Sequence, residues 1–324
     1  MRCAQLRWAG RVQVGVLDEV PRREGSVRVR VTHVGICGSD LHFFRHGAIG
    51  SAKATYPMVL GHEGVGVVEE GDLAGRAVSI EPTISCGSCT QCARGAPNLC
   101  INQSFLGLPP EPGLLREAVY HPPRLLEPLP QGLFGPVGTL LEPLAVAIST
   151  FDLLKMKVAS SVAILGCGAI GLLCLLIAKS LSARPVLCTD PVAHRRDAAL
   201  ALGADAAVAP DEAEGEFEYV VEASGEAPAH QDMLRLAAPG AKIAVVGTPH
   251  TDEIRLVGHE PRRRGLTFFM VRRSRLSLPR AADLATRLPL HRLVSHVFPL
   301  SQSQEAFQVA STYSDGCLKA VIEI

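Results

Sequence analysis

The feature that most constrains the fold is a regular alternation of strand and helix signals that begins after about Leu141. Short apolar runs typical of buried strands alternate with longer runs that carry a helical repeat: SVAILG, GLLCLLIAKSLS, PVLCTD, HRRDAALALG, EYVVEAS, QDMLRLAAPG and KIAVVGT. Parallel strands need long crossover connections, and helices supply them. The pattern therefore predicts an α/β fold in which helices cover both faces of a parallel sheet.

A glycine-rich turn joins the first of these strands to its helix. Gly166, Gly168 and Gly171 have the spacing G-x-G-x-x-G, with Ala169 and Ile170 inside it. The first glycine permits a tight turn, the second lets the backbone approach a pyrophosphate, and the third lets the helix pack closely on the strand. These five residues predict a Rossmann nucleotide-binding turn. A glycine turn without a nucleotide, and a site for FAD or another adenosyl ligand, stay open as alternatives.

The choice of nucleotide depends on the residues that follow the second strand. Asp190 ends PVLCTD, about twenty residues beyond the glycine turn, where an acid that binds ribose is expected. Its carboxylate would accept hydrogen bonds from the ribose hydroxyls and repel a 2′-phosphate, which favours NAD. Arg195 and Arg196 follow closely and could accommodate that phosphate, so NADP is the alternative.

Four cysteines crowd one loop-rich segment. Cys86, Cys89, Cys92 and Cys100 form the pattern C-x2-C-x2-C-x7-C, and four thiolates match the closed shell of a structural zinc ion. An iron–sulfur cluster is an alternative, although the bacterial pattern keeps its fourth cysteine close to the third. Disulfides are another, although they require an oxidising compartment. Zinc is the favoured ligand.

Composition limits the possible partners. The chain has 324 residues with 32 basic and 32 acidic side chains, so a formal net charge of zero gives no general attraction to nucleic acid or to an anionic membrane. The N-terminal residues lack the apolar core of a signal peptide, and the apolar run near residues 169–178 is too short to span a bilayer. We expect a cytoplasmic protein with a small-molecule partner.

The first third of the chain is rich in strand signals and contains a second set of potential metal ligands. Cys37 follows the strand VRVRVTHV, and the pair His62-Glu63 opens another strand. Taken by themselves, such residues are more often a buried thiol and a core imidazole than metal ligands.

The order of motifs changes that assessment. GICGSD, GHE, the four-cysteine run, LLEPLAVA and GCGAIG follow one another along the sequence, and together the chain resembles the zinc-dependent medium-chain dehydrogenase/reductase family, most nearly its sorbitol and L-idonate (polyol) dehydrogenase branch. The resemblance implies a GroES-like β-rich catalytic domain over 1–145 and 272–324, with a structural zinc lobe at about 81–107. It also implies a Rossmann NAD-binding domain over 146–271.

By this resemblance, Cys37, His62 and Glu63 would hold a catalytic zinc, with water or a substrate oxygen in the fourth position. The four-cysteine run would hold a second, structural zinc. Glu142, in LLEPLA, matches a glutamate that sits beside the catalytic metal and binds it directly or through water. A carboxylate that interacts with a helix N-terminus is the other role open to Glu142.

Ser39 and His42 match positions that pass the alcohol proton to solvent, although a partly exposed loop histidine is the other interpretation of His42. Asp40 could support a metal ligand from behind. The implied activity is interconversion of a secondary alcohol and a ketone with NAD, in a homo-oligomer, a dimer or a tetramer. Related zinc dehydrogenases that act on L-threonine, on a simple or aryl alcohol or on a sugar acid stay open. A non-catalytic zinc- and nucleotide-binding redox sensor is a further alternative.

Overall fold

The computed structural model describes residues 1–18, 22–249, 253–256 and 258–324. The chain folds as two compact units: unit 1 consists of Met1–Ala145 and Arg275–Ile324, and unit 2 of Val146–Ser274. The chain therefore begins in unit 1, forms unit 2 and returns to unit 1 for its last segment.

Short strands dominate unit 1, whereas strands and helices largely alternate in unit 2. The first segment of unit 1 contains β1 (Arg2–Trp8), β2 (Arg11–Val16), β3 (Val27–Gly35), α1 (Gly38–His46), β4 (Ala48–Ile49), β5 (Ala52–Lys53), β6 (Met58–Val59), β7 (Glu63–Val68), β8 (Ala77–Ile80), β9 (Thr83–Ile84), α2 (Thr90–Ala93), β10 (Ser104–Phe105), β11 (Ala118–His121), β12 (Leu126–Pro128) and α3 (Leu141–Leu154), which continues into unit 2. Unit 2 contains β13 (Val162–Leu165), α4 (Ala169–Ser180), β14 (Val186–Thr189), α5 (Ala193–Ala201), β15 (Ala206–Val208), β16 (Phe217–Glu222), α6 (Ala227–Arg235), β17 (Ala237–Val245), α7 (His259–Arg263) and β18 (Thr267–Met270). The returning segment contains α8 (Leu278–Ala285), β19 (Val294–Pro299), α9 (Ser303–Thr312) and β20 (Lys319–Glu323).

The main sheet of unit 1 is built around β3. Its strand order is β12-β8-β7-β3-β20-β19, and β11 pairs with the first half of β3. Val29 and Val31 on β3 are buried and Arg30 between them is exposed, so side chains alternate between the core and solvent along this strand. At the far end of β3, Gly35 pairs with Glu63 of β7 on one side and with a residue of β20 on the other. Residues from the first third and from the end of the chain therefore meet there.

Unit 2 is a six-stranded sheet in which every neighbouring pair is parallel, in the order β15-β14-β13-β16-β17-β18. Numbered within the unit, this order is 3-2-1-4-5-6, the arrangement of a Rossmann dinucleotide-binding domain. The first strand, β13, lies where the order reverses, so the glycine turn that follows it is at the topological switch point. The predicted α/β class, with a β-rich domain and a doubly wound parallel sheet, is confirmed.

One predicted boundary differs from the structure. The segment QDMLRLAAPG was expected to be helical throughout, but α6 ends at Arg235 and β17 begins at Ala237. Ala237 pairs with Phe217 of the neighbouring strand, and Pro239 and Gly240 cannot continue a helix favourably. Strand pairing therefore takes over two residues after the helix ends.

One helical stretch is long and apolar enough to cross a membrane when judged by length and composition. It covers Pro136–Leu154, which comprises a 3₁₀ turn and α3, and 78% of its apolar window is buried inside the protein. Core helices of soluble proteins meet the same criterion, and this burial is what a core helix requires.

Candidate active site and metal centres

The three predicted ligands of a catalytic metal lie together in unit 1. Cys37 follows β3 and caps the N-terminus of α1, while His62 and Glu63 stand at the start of β7, the neighbouring strand. The Cys37 Sγ, one ring nitrogen of His62 and one Glu63 carboxylate oxygen all lie within 4.8 Å of one another. His62 and Glu63 are buried and Cys37 is half-buried. The fold thus brings together residues from two separate motifs of the sequence.

Asp40 holds this group in place. Its carboxylate accepts the backbone N–H of Cys37 and that of Gly61, each at 3.0 Å, and its Oδ1 lies 3.6 Å from the Nδ1 of His62. Burial opposes ionisation of Asp40, but His62 and the two N–H donors outweigh it and lower the pKa of Asp40. Burial likewise favours neutral His62, but Asp40 and Cys37 outweigh it and raise the pKa of His62 well above its usual value. The surroundings of the imidazole therefore favour a positive charge, as a cation site requires.

The donor set fits zinc. A thiolate, an imidazole and a carboxylate are its usual protein ligands, and bonds of 2.0–2.3 Å in a tetrahedral shell separate ligand atoms by about 3.3–3.8 Å. A limit of 4.8 Å among the three donor atoms of Cys37, His62 and Glu63 permits that shell after small side-chain adjustments. Three protein ligands leave a fourth position open. The ring of Phe105 lies 5.2 Å from that of His62, centroid to centroid, and covers one side of the ligand.

Glu142 stands at the start of α3 and is buried. It lies outside the group of three donor atoms, yet its charge interacts with those of His62 and Glu63. Burial, together with the neighbouring carboxylates of Glu63 and Glu81, raises the pKa of Glu142 to about 8. Glu142 therefore lies close enough for its charge to interact with this group.

The two predicted proton-transfer residues lie on α1. The Ser39 hydroxyl oxygen is 3.5 Å from the Nε2 of His62, and His42 lies three residues further on. The rings of His42 and His46 are 6.2 Å apart, centroid to centroid. Positions 39, 42 and 46 share one face of the helix. Along that face Ser39 and His42 are half-buried and His46 is exposed.

The four cysteines form a second group of potential metal ligands. Sulfur–sulfur distances are 3.4 Å for Cys86 and Cys100, 3.6 Å for Cys89 and Cys92, and 3.9 Å for Cys89 and Cys100. A disulfide requires about 2.05 Å, whereas thiolates on one tetrahedral zinc ion are about 3.8 Å apart. The cysteines are free, and their spacing fits zinc.

Local structure explains why these thiols converge. Cys89 precedes α2 and Cys92 lies in it, so one short helical turn presents both sulfurs to the same point. The short strands β9 and β10 pair with each other and close the segment at its base. The backbone N–H groups of Ser88 and Cys89 donate to the Cys86 sulfur and lower its pKa to about 6, which favours the thiolate that a metal binds.

The glycine turn has the predicted conformation in unit 2. Gly166 follows β13 with φ +98°, which only glycine adopts freely, and Gly168 is the N-cap of α4. A Cβ atom on Gly171 would overlap the carbonyl oxygen of Gly166, whereas one on Gly168 would meet nothing closer than Arg195 Nη1 at 4.0 Å. Ala169 and Ile170 form the first turn of α4. The open space beside Gly168 is where a pyrophosphate is expected to approach.

Asp190 lies next to this turn, just beyond the end of β14. Its carboxylate accepts the N–H of Cys167 at 2.8 Å and that of Val192 at 2.8 Å, so it fixes both the turn and the loop that follows β14. Arg195 Nη1 lies 3.9 Å from the same carboxylate. Asp190, which would favour NAD, and Arg195, which would favour NADP, therefore lie side by side.

One charged residue beside the predicted ligands was not predicted from the sequence. Lys319, in the last strand β20, is buried and forms an ion pair with Glu63. The only local signal was a lysine inside the apolar run LKAVI, and nothing in that run points to a partner 256 residues away.

Comparison with known proteins agrees with this geometry. The model described as "Alcohol dehydrogenase GroES-like domain" matches residues 23–131, and the one described as "Zinc-binding dehydrogenase" matches residues 169–287. The sorbitol dehydrogenase of Bombyx mori is 30% identical to this chain, over 99% of this chain and 98% of its own length.

Two solved structures are also similar. The L-idonate 5-dehydrogenase of Escherichia coli covers 100% of this chain and 98% of its own, with a TM-score of 0.92 and 24% identity, a level that shows the fold alone. A protein of Sinorhizobium meliloti named only as a zinc-binding dehydrogenase, bound to NADP, covers 100% and 99%, with a TM-score of 0.89 and 28% identity. The chain belongs to the zinc-dependent medium-chain dehydrogenase/reductase family, near its polyol dehydrogenase branch.

Proposed function

We propose that this protein is a zinc- and NAD-dependent dehydrogenase that interconverts a secondary alcohol of a polyol or sugar-derived substrate and the corresponding ketone. The observation that carries the proposal is the convergence of Cys37, His62 and Glu63 within 4.8 Å, a set of donors with one position open for a substrate oxygen. The similarity to a sorbitol dehydrogenase over nearly the whole chain supports the polyol class of substrate.

In this proposal each group has a defined task. When bound, zinc would polarise the alcohol oxygen and lower its pKa, and NAD would accept the hydride from the alcohol carbon. The Ser39 hydroxyl, beside His62, would take the alcohol proton and pass it to the His42 ring, one turn further along α1. Asp40 would keep the imidazole of His62 oriented through its Nδ1 side, which leaves Nε2 for the metal. Glu142 would add a carboxyl group beside the metal.

The four-cysteine cluster would hold a structural zinc ion. Four thiolates close the coordination shell, so water or substrate has no position on that metal. The cluster would therefore stabilise its segment and take no part in the reaction. Two zinc ions per chain follow from the two donor groups.

NAD is the proposed cofactor. The Asp190 carboxylate borders the glycine turn, where it would accept hydrogen bonds from ribose hydroxyls and repel a 2′-phosphate. Arg195 beside it, and the NADP found in the similar Sinorhizobium meliloti protein, support NADP as the alternative. The dissociation constants of NADH and NADPH, measured by fluorescence titration, decide between them.

The proposed activity is tested by Cys37→Ala. The variant should lose one zinc ion and lose NAD-linked oxidation of polyols, while NADH binding persists because the glycine turn is in unit 2. Cys3→Ala, which changes a buried thiol outside both donor groups, is the matched control and should retain zinc and turnover. Alcohol oxidation that persists in Cys37→Ala would contradict the proposed mechanism.

We also propose a cytoplasmic homo-oligomer. Strand β18 is at the edge of the unit 2 sheet, and Met270 on it is 63% exposed. An exposed edge strand of this kind can pair with the same strand of a second copy. Light scattering after gel filtration should give the mass of a dimer or tetramer for the wild-type chain. A monomeric mass at micromolar concentration would rule out this assembly.

A further inference from the structure

Lys319 is a buried cation inside the group of residues that we propose as the catalytic zinc site. Its side chain is 3% exposed and that of its partner Glu63 is 1% exposed, and Nζ donates to the Glu63 carboxylate. A buried lysine held this way is a fixed positive charge beside the metal ligands.

The backbone is shaped for this pair. Gly35 lies on β3, between β7, which carries Glu63, and β20, which carries Lys319. A Cβ atom on Gly35 would overlap the Glu63 carboxylate and would lie 2.9 Å from Lys319 Cε. The ion pair therefore crosses β3 through space that is free only because residue 35 has no side chain.

The charges around Lys319 explain what it does. Its charge interacts with those of Glu63, Cys37 and Asp40, and that of Glu142 also interacts with it. Without a metal, these acidic groups would repel one another in a buried site, and the ammonium group offsets part of that repulsion. A divalent cation held by the same ligands would be repelled by this ammonium and would compete with it for the carboxylate of Glu63.

We propose that Lys319 is a positioning residue that competes with the metal for the Glu63 carboxylate and thereby limits how tightly this site holds zinc. The inference rests on the proposed function, because it takes Cys37, His62 and Glu63 as the ligands of that ion. It implies that Lys319 stabilises the zinc-free site.

The test is Lys319→Met, which keeps the length of the side chain and removes its charge. In the zinc-free variant the buried Glu63 carboxylate lacks its ammonium partner, whereas in the zinc-loaded variant the metal would replace that partner. By linkage, removal of the lysine should raise the affinity of this site for zinc by roughly 5- to 150-fold. The affinity for zinc is measured by competition with a chromophoric chelator. The zinc ion that is missing from Cys37→Ala is assigned to this site.

A second measurement and matched variants complete the experiment. Zinc loading should raise the apparent Tm of Lys319→Met more than that of the wild type. Lys319→Gln removes the charge but keeps a hydrogen-bond donor for Glu63, so its affinity for zinc should lie between those of the wild type and Lys319→Met. This variant replaces Lys319→Met in the test if the methionine variant does not fold. Lys179→Met removes a lysine that pairs with Asp205 at 3.3 Å on the surface, and it should leave zinc affinity unchanged.

The outcomes separate the two proposals. If the wild type holds the zinc ion that Cys37→Ala lacks, and Lys319→Met binds it with equal or lower affinity, the role of Lys319 is refuted and the proposed function stands. If the wild type holds no zinc that depends on Cys37, the proposed function fails and this inference fails with it.

Discussion

His121 gives a quantitative test of how burial controls charge in unit 1. Its side chain is fully buried on β11, and Nε2 lies 2.9 Å from the carbonyl oxygen of Glu81. A carbonyl oxygen can only accept a hydrogen bond, so the neutral His121 ring carries its proton on Nε2 and donates a hydrogen bond from there. A second proton would go to Nδ1, which has no hydrogen-bond partner in the part of the chain that the structure describes. Burial first, opposed by the Glu81 hydrogen bond and assisted by the charges of Arg23 and Arg116, lowers the pKa of His121 to about 4.

The magnitude follows from the two pKa values. In the unfolded chain the His121 imidazole takes up a proton near pH 6.5, whereas in the folded protein it does so only near pH 4. The contribution of neutral His121 to stability is therefore complete above pH 6.5 and is lost as the pH falls toward 4. When the pH falls from 7.5 to 5, protonation of His121 therefore lowers the free energy of unfolding by about 2 kcal/mol.

The matched variant is His121→Gln, which cannot take up a proton but can still donate to the Glu81 carbonyl. Urea unfolding of unit 1 can be followed by the fluorescence of Trp8, the only tryptophan, which lies on β1. We expect the free energy of unfolding of the wild type, minus that of the variant, to fall by about 2 kcal/mol from pH 7.5 to pH 5. Other groups that titrate in this range, including the metal ligands, are common to both proteins and cancel. A difference that stays constant with pH would mean that burial does not lower the pKa of His121.

Three further predictions concern the metal and cofactor sites. Cys89→Ser should reduce the zinc content by one ion per chain, measured by atomic emission, and lower the apparent Tm by about 5 °C or more; unchanged zinc content would contradict a four-thiolate site. Gly171→Ala should lower the apparent Tm because its Cβ overlaps the backbone, whereas Gly168→Ala should keep the Tm and weaken NADH binding; equal Tm losses would show that the two glycines do not have separate roles. Asp190→Asn should reduce the preference for NADH over NADPH by about tenfold in titrations, and an unchanged preference would show that the carboxylate does not select the cofactor.

The parts of the molecule that follow from local sequence were predicted well. The glycine turn and Asp190 are recognisable because each depends on one strand–turn–helix unit, and β13 and β14 place them side by side. The four cysteines are recognisable for the same reason, since one helical turn and a short hairpin bring them together. The end of α6 was misplaced because the pairing of Ala237 with a distant strand overrides a local helical pattern.

Long-range partners escaped prediction, and Lys319 is the clearest case. The predicted ligands of the catalytic zinc lie within residues 37–63, so their types and spacing suggest a site before any fold is known. The charge that balances them comes from β20, which reaches β3 only after unit 2 is complete. No local pattern marks that lysine as a partner of Glu63, because the pairing is set by strand order in the sheet.

This arrangement gives the returning segment a chemical role in addition to its structural one. β20 extends the sheet beside β3, and the same strand delivers an ammonium group to the carboxylate that stands across Gly35. Ligand identity determines which metal a site accepts, whereas the buried charges around the ligands determine how firmly it is held and how easily one ligand gives way. In this chain the first property is encoded in two short motifs near the start. The second depends on the last strand, so the reactivity of the site is a property of the completed fold of unit 1.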